Sequence, residues 1–332
     1  MNKSLIDRVY NVITENSLLK KGDKVLVCVS TGPDSMTLVT ILNALKDKLG
    51  ITTIGIAHVN HMIRKESEEE EIFARNYARK NNFEFHFLKA DVITLAKKNK
   101  MGIEECARKV RYDFFFETKE KYGYDKIAVA HNLNDKVETV LLNMIRGTSL
   151  KGLIGMEYLS NDIIRPMLDI SKKEVLEFCE EEKIKYYIDK TNYDDTYTRN
   201  KVRLNLIPMI EKDFNPNFLE SISRMSDLIS MDEKFIDKYT EKIVDESIIS
   251  KNEDNIIYNY KYLMNEDMAV RARCAKKIVE RLLNNAQGLE KKHILDIIKL
   301  MQNNITHKKY IIGNKFTVEI LKKNVANIYK NK

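Results

Sequence analysis

Lys24-Val25-Leu26-Val27-Cys28-Val29-Ser30-Thr31-Gly32-Pro33-Asp34-Ser35-Met36 is an apolar run broken by a short polar loop. The continuous run Val25 to Val29 reads as a buried strand, and the stretch from Met36 to Lys48 as a helix. Between them, the loop amides, the hydroxyls of Ser30, Thr31 and Ser35, and the positive end of the helix dipole form a nest suited to an anion. Asp34 would repel a phosphate unless a cation lay between them, so its presence points to Mg²⁺ carried on a polyphosphate. The lysine of a Walker loop is missing. Taken alone, a loop this short is as readily an ordinary helix cap, and its neighbours have to decide.

Outward from this stretch the same alternation continues. Ile51 to His58 is a second strand, and Ser67 with Glu70 forms a capping box for a helix through Asn81. Phe83, Phe85 and Phe87 alternate with Glu84, His86 and Leu88 in a third strand, and Lys126 to His131 is a fourth, feeding a helix from about Asn134 to Arg146. Strands separated by helices predict an α/β fold with a doubly wound, Rossmann-like parallel sheet, whose ligand site lies beyond the carboxyl ends of the strands. Nine of the eleven glycines precede Met156, and Phe214-Asn215-Pro216-Asn217 resembles a linker. The expected division is residues 1–215 as the catalytic domain and 216–332 as a smaller, mostly helical one, helical until about Gln302 with a short β stretch around Tyr310 to Ile320.

Chemistry-bearing residues fall at the ends of these strands. Ala57-His58-Val59-Asn60-His61 closes the second strand, followed by Arg64. Residues three apart on a strand face opposite ways, so His58 and His61 do not make a metal pair; His58 and Asn60 are expected to line a nucleotide crevice. Arg108 and Arg111 share one helical face and suit a polyphosphate, or the charge developed in adenylyl transfer, although a solvated pair is the commoner reason for such spacing. His131-Asn132-Leu133-Asn134-Asp135-Lys136-Val137-Glu138 opens the fourth helix. Asp135 and Glu138 share a face there; the helix dipole alone would favour them, and the alternatives are an amino-acid ammonium group or the metal.

With Arg165-Pro166-Met167-Leu168, Asp189-Lys190-Thr191-Asn192 and Arg199-Asn200-Lys201-Val202-Arg203, the series from Lys24 to Pro208 resembles, in order and spacing, the lysidine synthase family of PP-loop enzymes. Thr31 departs from the glycine usual in that family; a β-branched residue there implies a backbone conformation open to non-glycine residues. The resemblance implies an ATP- and Mg²⁺-dependent ligase that adenylates C2 of the wobble cytidine of a tRNA(Ile) bearing CAU and lets L-lysine displace AMP. By the same carry-over, Ser30, Thr31, Gly32, Pro33, Asp34 and Ser35 hold the pyrophosphate end, with Asp34 on the metal, and His58 and Asn60 lie near the nucleotide. Arg108 and Arg111 would face the phosphates or the activated base, Asp135 and Glu138 are the candidates for lysine, and His131 for accepting a proton from its amine. Arg199 and Arg203 would hold tRNA phosphates or join the active site. Many members of that family carry a further C-terminal domain beyond the point where this chain stops.

Composition agrees with that expectation. At 332 residues, 43% apolar and 32% charged, the chain suits two ordinary cores, and no apolar run approaches the roughly 20 residues of a membrane span. The charged N-terminus does not resemble a signal peptide, so a cytoplasmic location is expected. Cys28, Cys106, Cys179 and Cys274 are too widely spaced for a zinc or redox motif and are expected to be free buried thiols, which argues against a sulfur-transferring PP-loop enzyme. The net charge is +7, of which +6 lies from His307 onward, a basic end fit to grip a polyanion or simply to keep the chain in solution. The oligomeric state is open, a homodimer being compatible with everything above. A non-catalytic tRNA-binding protein is the rival of a different class, and simple RNA binding would not need Asp34, Asp135 and Glu138.

Overall fold

The structure is a computed structural model describing residues 3–62, 67–188, 198–283 and 289–331. Two compact units divide at Asp227/Leu228, inside a long helix rather than at the Phe214–Asn217 stretch.

In the first unit, strands β1 (Lys24–Cys28), β2 (Thr53–Asn60), β3 (Glu84–Lys89), β4 (Lys126–Ala128), β5 (Leu159–Ser160) and β6 (Ile163–Ile164) form one sheet in the order β3-β2-β1-β4-β6-β5. All neighbours pair in parallel except β5 with β6. Helices α1 (Lys3–Glu15), α2 (Pro33–Leu49), α3 (Ser67–Lys80), α4 (Val92–Asn99), α5 (Ile103–Tyr122), α6 (Leu133–Ile145), α7 (Leu150–Leu153) and α8 (Lys172–Glu181) connect the strands and follow the last of them. The expected doubly wound sheet is thus present, and the period of two along β1 shows why it needs helices on both faces. Val25, Val27 and Val29 enter one core with Leu38, Ile41 and Phe178 of α2 and α8, whereas Leu26 and Cys28 enter another with Phe115 of α5. The outer strand β3 is only half-buried, which is why its pattern alternates. Left-handed glycines close α2 (Gly50, φ 69°) and α5 (Gly123, φ 69°), a conformation that costs other residues strain.

Strand order reverses between β2-β1 and β1-β4, so the loops leaving the carboxyl ends of β1 and β4 splay apart and open a crevice between them. Those loops carry residues 29–32 and 129–132. Beyond α8 follow α9 (Thr198–Lys201), a π-turn over Val202–Leu206, α10 (Ile207–Asp213) and α11 (Phe218–Ser247). The first turns of α11 are held by Lys136, which is 1% exposed and donates to Ser223 Oγ (2.9 Å) and Asp227 Oδ1 (2.7 Å).

The second unit is helical as expected, but with more strand than the one short stretch around Tyr310 to Ile320. Besides α12 (Lys261–Met264), α13 (Met268–Leu283) and α14 (Lys291–Asn303) it contains a five-stranded antiparallel sheet. Strands β7 (Ile248–Lys251), β8 (Asn255–Asn259), β9 (Lys309–Ile312), β10 (Phe316–Lys322) and β11 (Val325–Lys330) are ordered β7-β8-β11-β10-β9. Ile256, Tyr258, Val318, Ile320 and Ile328 pack there with Cys274, Ile278, Ile297 and Ile298 of α13 and α14. All four cysteines are free and buried, as expected. No helix among the described residues is long and apolar enough to cross a membrane.

Candidate functional site

The loop after β1 is tied to itself. Ser35 Oγ donates to Gly32 O at 3.0 Å and accepts from Ser30 N at 3.2 Å, and Thr31 Oγ1 donates to Ser30 O at 2.6 Å. Thr31 is fully buried, its carbonyl accepts from Tyr187 N at 3.0 Å, and its φ is +65°. This corrects the sequence expectation: the backbone at 31 sits in the left-handed region that favours glycine, and the threonine is held there by its own hydroxyl and by Tyr187. The cost is of the order of 1–2 kcal/mol. Gly32 is extended instead (φ −70°, ψ 165°) and caps α2, with Pro33 in the first helical turn.

Asp34 projects from the first turn of α2 into the crevice. Its Oδ1 accepts from Asn132 Nδ2 at 2.8 Å and its Oδ2 from Lys172 Nζ at 2.5 Å. Asn132 comes from the β4 end and caps α6, its side chain accepting from Asp135 N while the Asp135 carboxylate accepts from Asn132 N. Lys172 opens α8. Side chains from the starts of α6 and α8 thus meet a carboxylate in the first turn of α2.

A second cluster lies along α6. Glu138, 0% exposed, accepts from Arg199 Nε (2.7 Å), Arg203 Nε (2.5 Å) and Arg203 Nη2 (2.9 Å), and Asp135 Oδ1 lies 3.4 and 3.2 Å from the same two guanidinium groups. Burial opposes the charge of Arg203, but the hydrogen bonds and charge of Glu138 outweigh it and raise its pKa. Asp135 and Glu138 are thus brought together, and the structure fills their oxygens with arginines. A cleft of about 320 Å³ adjoins this quartet, lined by Glu104, Thr139, Asn143, Arg146 and Arg199.

Arg165, 9% exposed, donates from Nε to His131 Nδ1 at 3.2 Å and from Nη1 to Glu157 O at 2.8 Å. Because Nδ1 accepts, neutral His131 carries its proton on Nε2 and presents a donor. Burial, then Arg165, Arg199, Arg108 and Arg111, push its pKa down to about 3. The expected role of His131 as proton acceptor does not fit this arrangement. Arg108 lies over the Tyr112 ring at 4.7 Å, and Arg111 Nη2 donates to His61 Nε2 at 3.4 Å. Burial, then Arg111 and His58, lower the His61 pKa to about 4, and its Nδ1 is buried without a partner.

His58 and Asn60 face backbone. His58 Nδ1 donates to Val29 O (2.8 Å), bracing the root of the loop, and burial lowers its pKa. Asn60 donates to Ser67 O (3.2 Å) and accepts from Met62 N (2.8 Å), closing the turn after β2. Arg64 and the Asp189-Lys190-Thr191-Asn192 motif lie outside the described residues. Sequence reasoning overlooked Asn132, Arg165 and Lys172 as site residues; Asn132 was detectable as the residue before a helix, and Lys172 only as a cation misplaced at a helix start. Among the described residues no three His, Cys, Asp or Glu side chains form a metal site.

Comparison with known proteins supplies the context. Residues 1–210 match the PP-loop domain family. A tRNA(Ile)-lysidine synthase of Clostridium tetani is 38% identical over 300 residues, covering 90% of this chain and 64% of the relative. One from Clostridium acetobutylicum is 37% identical over 312 residues, covering 93% and 67%. The chain therefore spans about two thirds of the length of these curated relatives. The fold is shared with a U34-tRNA thiolase from Methanococcus maripaludis, solved with its [4Fe-4S] cluster (TM-score 0.57, 20% identity, 69% of this chain and 81% of the other).

Proposed function

We propose, because this chain belongs to the PP-loop family and within it to the tRNA(Ile)-lysidine synthases, that it attaches L-lysine to a tRNA(Ile) cytidine. The reaction is ligation at C2 of the wobble cytidine of a CAU anticodon with ATP, releasing AMP and pyrophosphate. The observation that carries it is the convergence of the Ser30–Ser35 loop, Asp34, Asn132 and Lys172 at the switch point of the sheet, beside the arginines.

In this reading the cytidine C2 oxygen attacks the α-phosphorus of ATP, and the bond to the pyrophosphate oxygen breaks. The lysine ε-amine then attacks C2, the bond from C2 to the AMP oxygen breaks, and the amine gives up a proton. Ser30, Thr31, Gly32, Pro33, Asp34 and Ser35 would cradle the pyrophosphate end. Mg²⁺, when bound with ATP, would neutralise phosphate charge, with Asp34 and phosphate oxygens as ligands. The hard oxygen donors at the loop fit that ion, and both Asp34 oxygens must first be released. Arg108 and Arg111 would offset the charge developing on the leaving groups. His61, with its unpartnered buried nitrogen, and neutral His131 would offer hydrogen bonds to nucleotide or base. His58 and Asn60 would act by bracing the crevice. Asp135 and Glu138 would set the lysine site jointly with Arg199 and Arg203, whose guanidinium groups a lysine ammonium would have to shift. A single-stranded anticodon loop lets the target base leave its stack at small cost.

The test is release of pyrophosphate from ATP that depends on tRNA(Ile) transcript, and of AMP that depends on lysine as well, with Asp34→Ala as control. Formation of AMP without any need for lysine would keep the adenylating reading and remove the lysine one.

A further inference from the structure

We infer that Lys172 is the phosphate-binding lysine of the nucleotide loop, supplied from α8 and held on Asp34 until a polyphosphate arrives. The inference rests on the ATP reading above.

The loop itself contains no lysine between Ser30 and Ser35. Lys172 compensates from a place fixed to the loop through two separate attachments. Its backbone N donates to Asn134 Oδ1 at 2.9 Å, securing the start of α8 to α6. One and two turns on, α8 packs against α2, where Cys179 lies 3.2 Å from Thr37 Oγ1 and reaches Pro33 O. The backbone is therefore set, and the four-carbon stem is the part that can move.

Electrostatics argue that Asp34 is a temporary partner. A cation in the first turn of a helix is disfavoured by the dipole, and the side chain of Asn132, the N-cap of α6, meets Asp34 of the first turn of α2 beside it. The acid of that turn, Glu174, is already engaged by Ser171 and Arg8. Among the described residues around the crevice, the cations Arg108, Arg111, Arg165, Arg199, Arg203 and Lys172 outnumber the carboxylates Asp34, Asp135, Glu138, Glu104 and Glu157, a surplus of positive charge. A polyphosphate removes that surplus. A cation brought to Asp34 on the phosphates must displace the ammonium, and the incoming phosphate oxygens are acceptors within reach of the displaced group.

The experiment is equilibrium binding of Mg-ATP, inorganic pyrophosphate and AMP to the full chain, as wild type, Lys172→Ala and Lys172→Arg. Loss of one bond to a charged group predicts that Lys172→Ala weakens ATP and pyrophosphate by about ten- to a hundredfold. AMP should bind all three proteins alike, and Lys172→Arg should recover most of the loss. Equal ATP affinity in wild type and Lys172→Ala would overturn the inference while leaving the ATP reading intact. So would an equal loss for AMP, which would mark a general structural defect. Wild-type protein that binds neither ATP nor pyrophosphate would overturn the ATP reading, and this inference with it.

Discussion

Glu138→Gln is the perturbation whose size follows most directly from the geometry. The native carboxylate is fully buried and accepts three charge-assisted hydrogen bonds from Arg199 and Arg203. The amide keeps the volume and one acceptor but turns an NH₂ group toward a guanidinium donor, and it removes the charge that offsets two arginines. Each bond to a charged group is worth roughly 1.5–3 kcal/mol, and leaving a buried charge unmatched costs about 3–5 kcal/mol. The arginine side chains are 31% and 34% exposed, so water recovers part of that, and Asp135 remains beside them. A net loss of about 2–4 kcal/mol is expected. Urea unfolding should be followed with a probe in the first unit, because two units need not unfold in one step. A double-mutant cycle with Arg203→Gln should return a coupling of at least about 1 kcal/mol. A loss below about 0.5 kcal/mol, with no coupling, would refute the quartet as the resting arrangement.

Four further outcomes are expected. Asp227→Asn should destabilise the first unit more than Lys136→Met, because it leaves a 1%-exposed ammonium without its anion, whereas Asp227 is 38% exposed and can hydrate; denaturant midpoints of the two variants decide. Gly55→Ala should cost about 1–3 kcal/mol, since its Cβ would overlap the Tyr124 phenol, and Tyr124→Leu in the same chain should return part of the loss in a thermal melt. Thr31→Gly should change stability by less than about 1 kcal/mol, relief of the left-handed strain being offset by a freer unfolded chain and a lost hydroxyl bond; a larger loss would mean that the threonine is not strained. Finally, the lysine amine has an ordinary pKa of about 10.4, so its reactive fraction, and with it kcat/KM for lysine, should rise almost tenfold per unit between about pH 6 and 9. His131, held neutral with a pKa near 3, should add no inflection there, so a break near pH 6–7 that His131→Asn abolishes would contradict its role as donor.

The first unit was legible because its signals are local. Val25 to Val29, the alternating phenylalanines of β3 and the cap at the start of α6 each announce an element within a few residues. The two-residue strands β5 and β6 carry no period at all, and only the pairing of β6 with β4 and of β5 with β6 makes them strands. In the second unit β7 and β8 are short and half-exposed, so their apolar pairs passed for helix faces. The one available signal was the turn between them, where Asn252 Oδ1 accepts from Asp254 N and Asn255 N. In the site, residues within one motif could be grouped from spacing. Pairings such as Asp34 with Lys172, His131 with Arg165 and Glu138 with Arg203 join segments 34 to 138 positions apart, and only the folded chain reveals them.

Ligation of lysine to one particular tRNA is measured most directly by transfer of radiolabelled lysine to RNA in the presence of ATP. Label should enter a tRNA(Ile) transcript bearing CAU, stay out of a tRNA(Met) with the same anticodon, and be lost with Asp34→Ala. Label in neither RNA, while ATP is still split to AMP, would contradict lysine ligation by this protein.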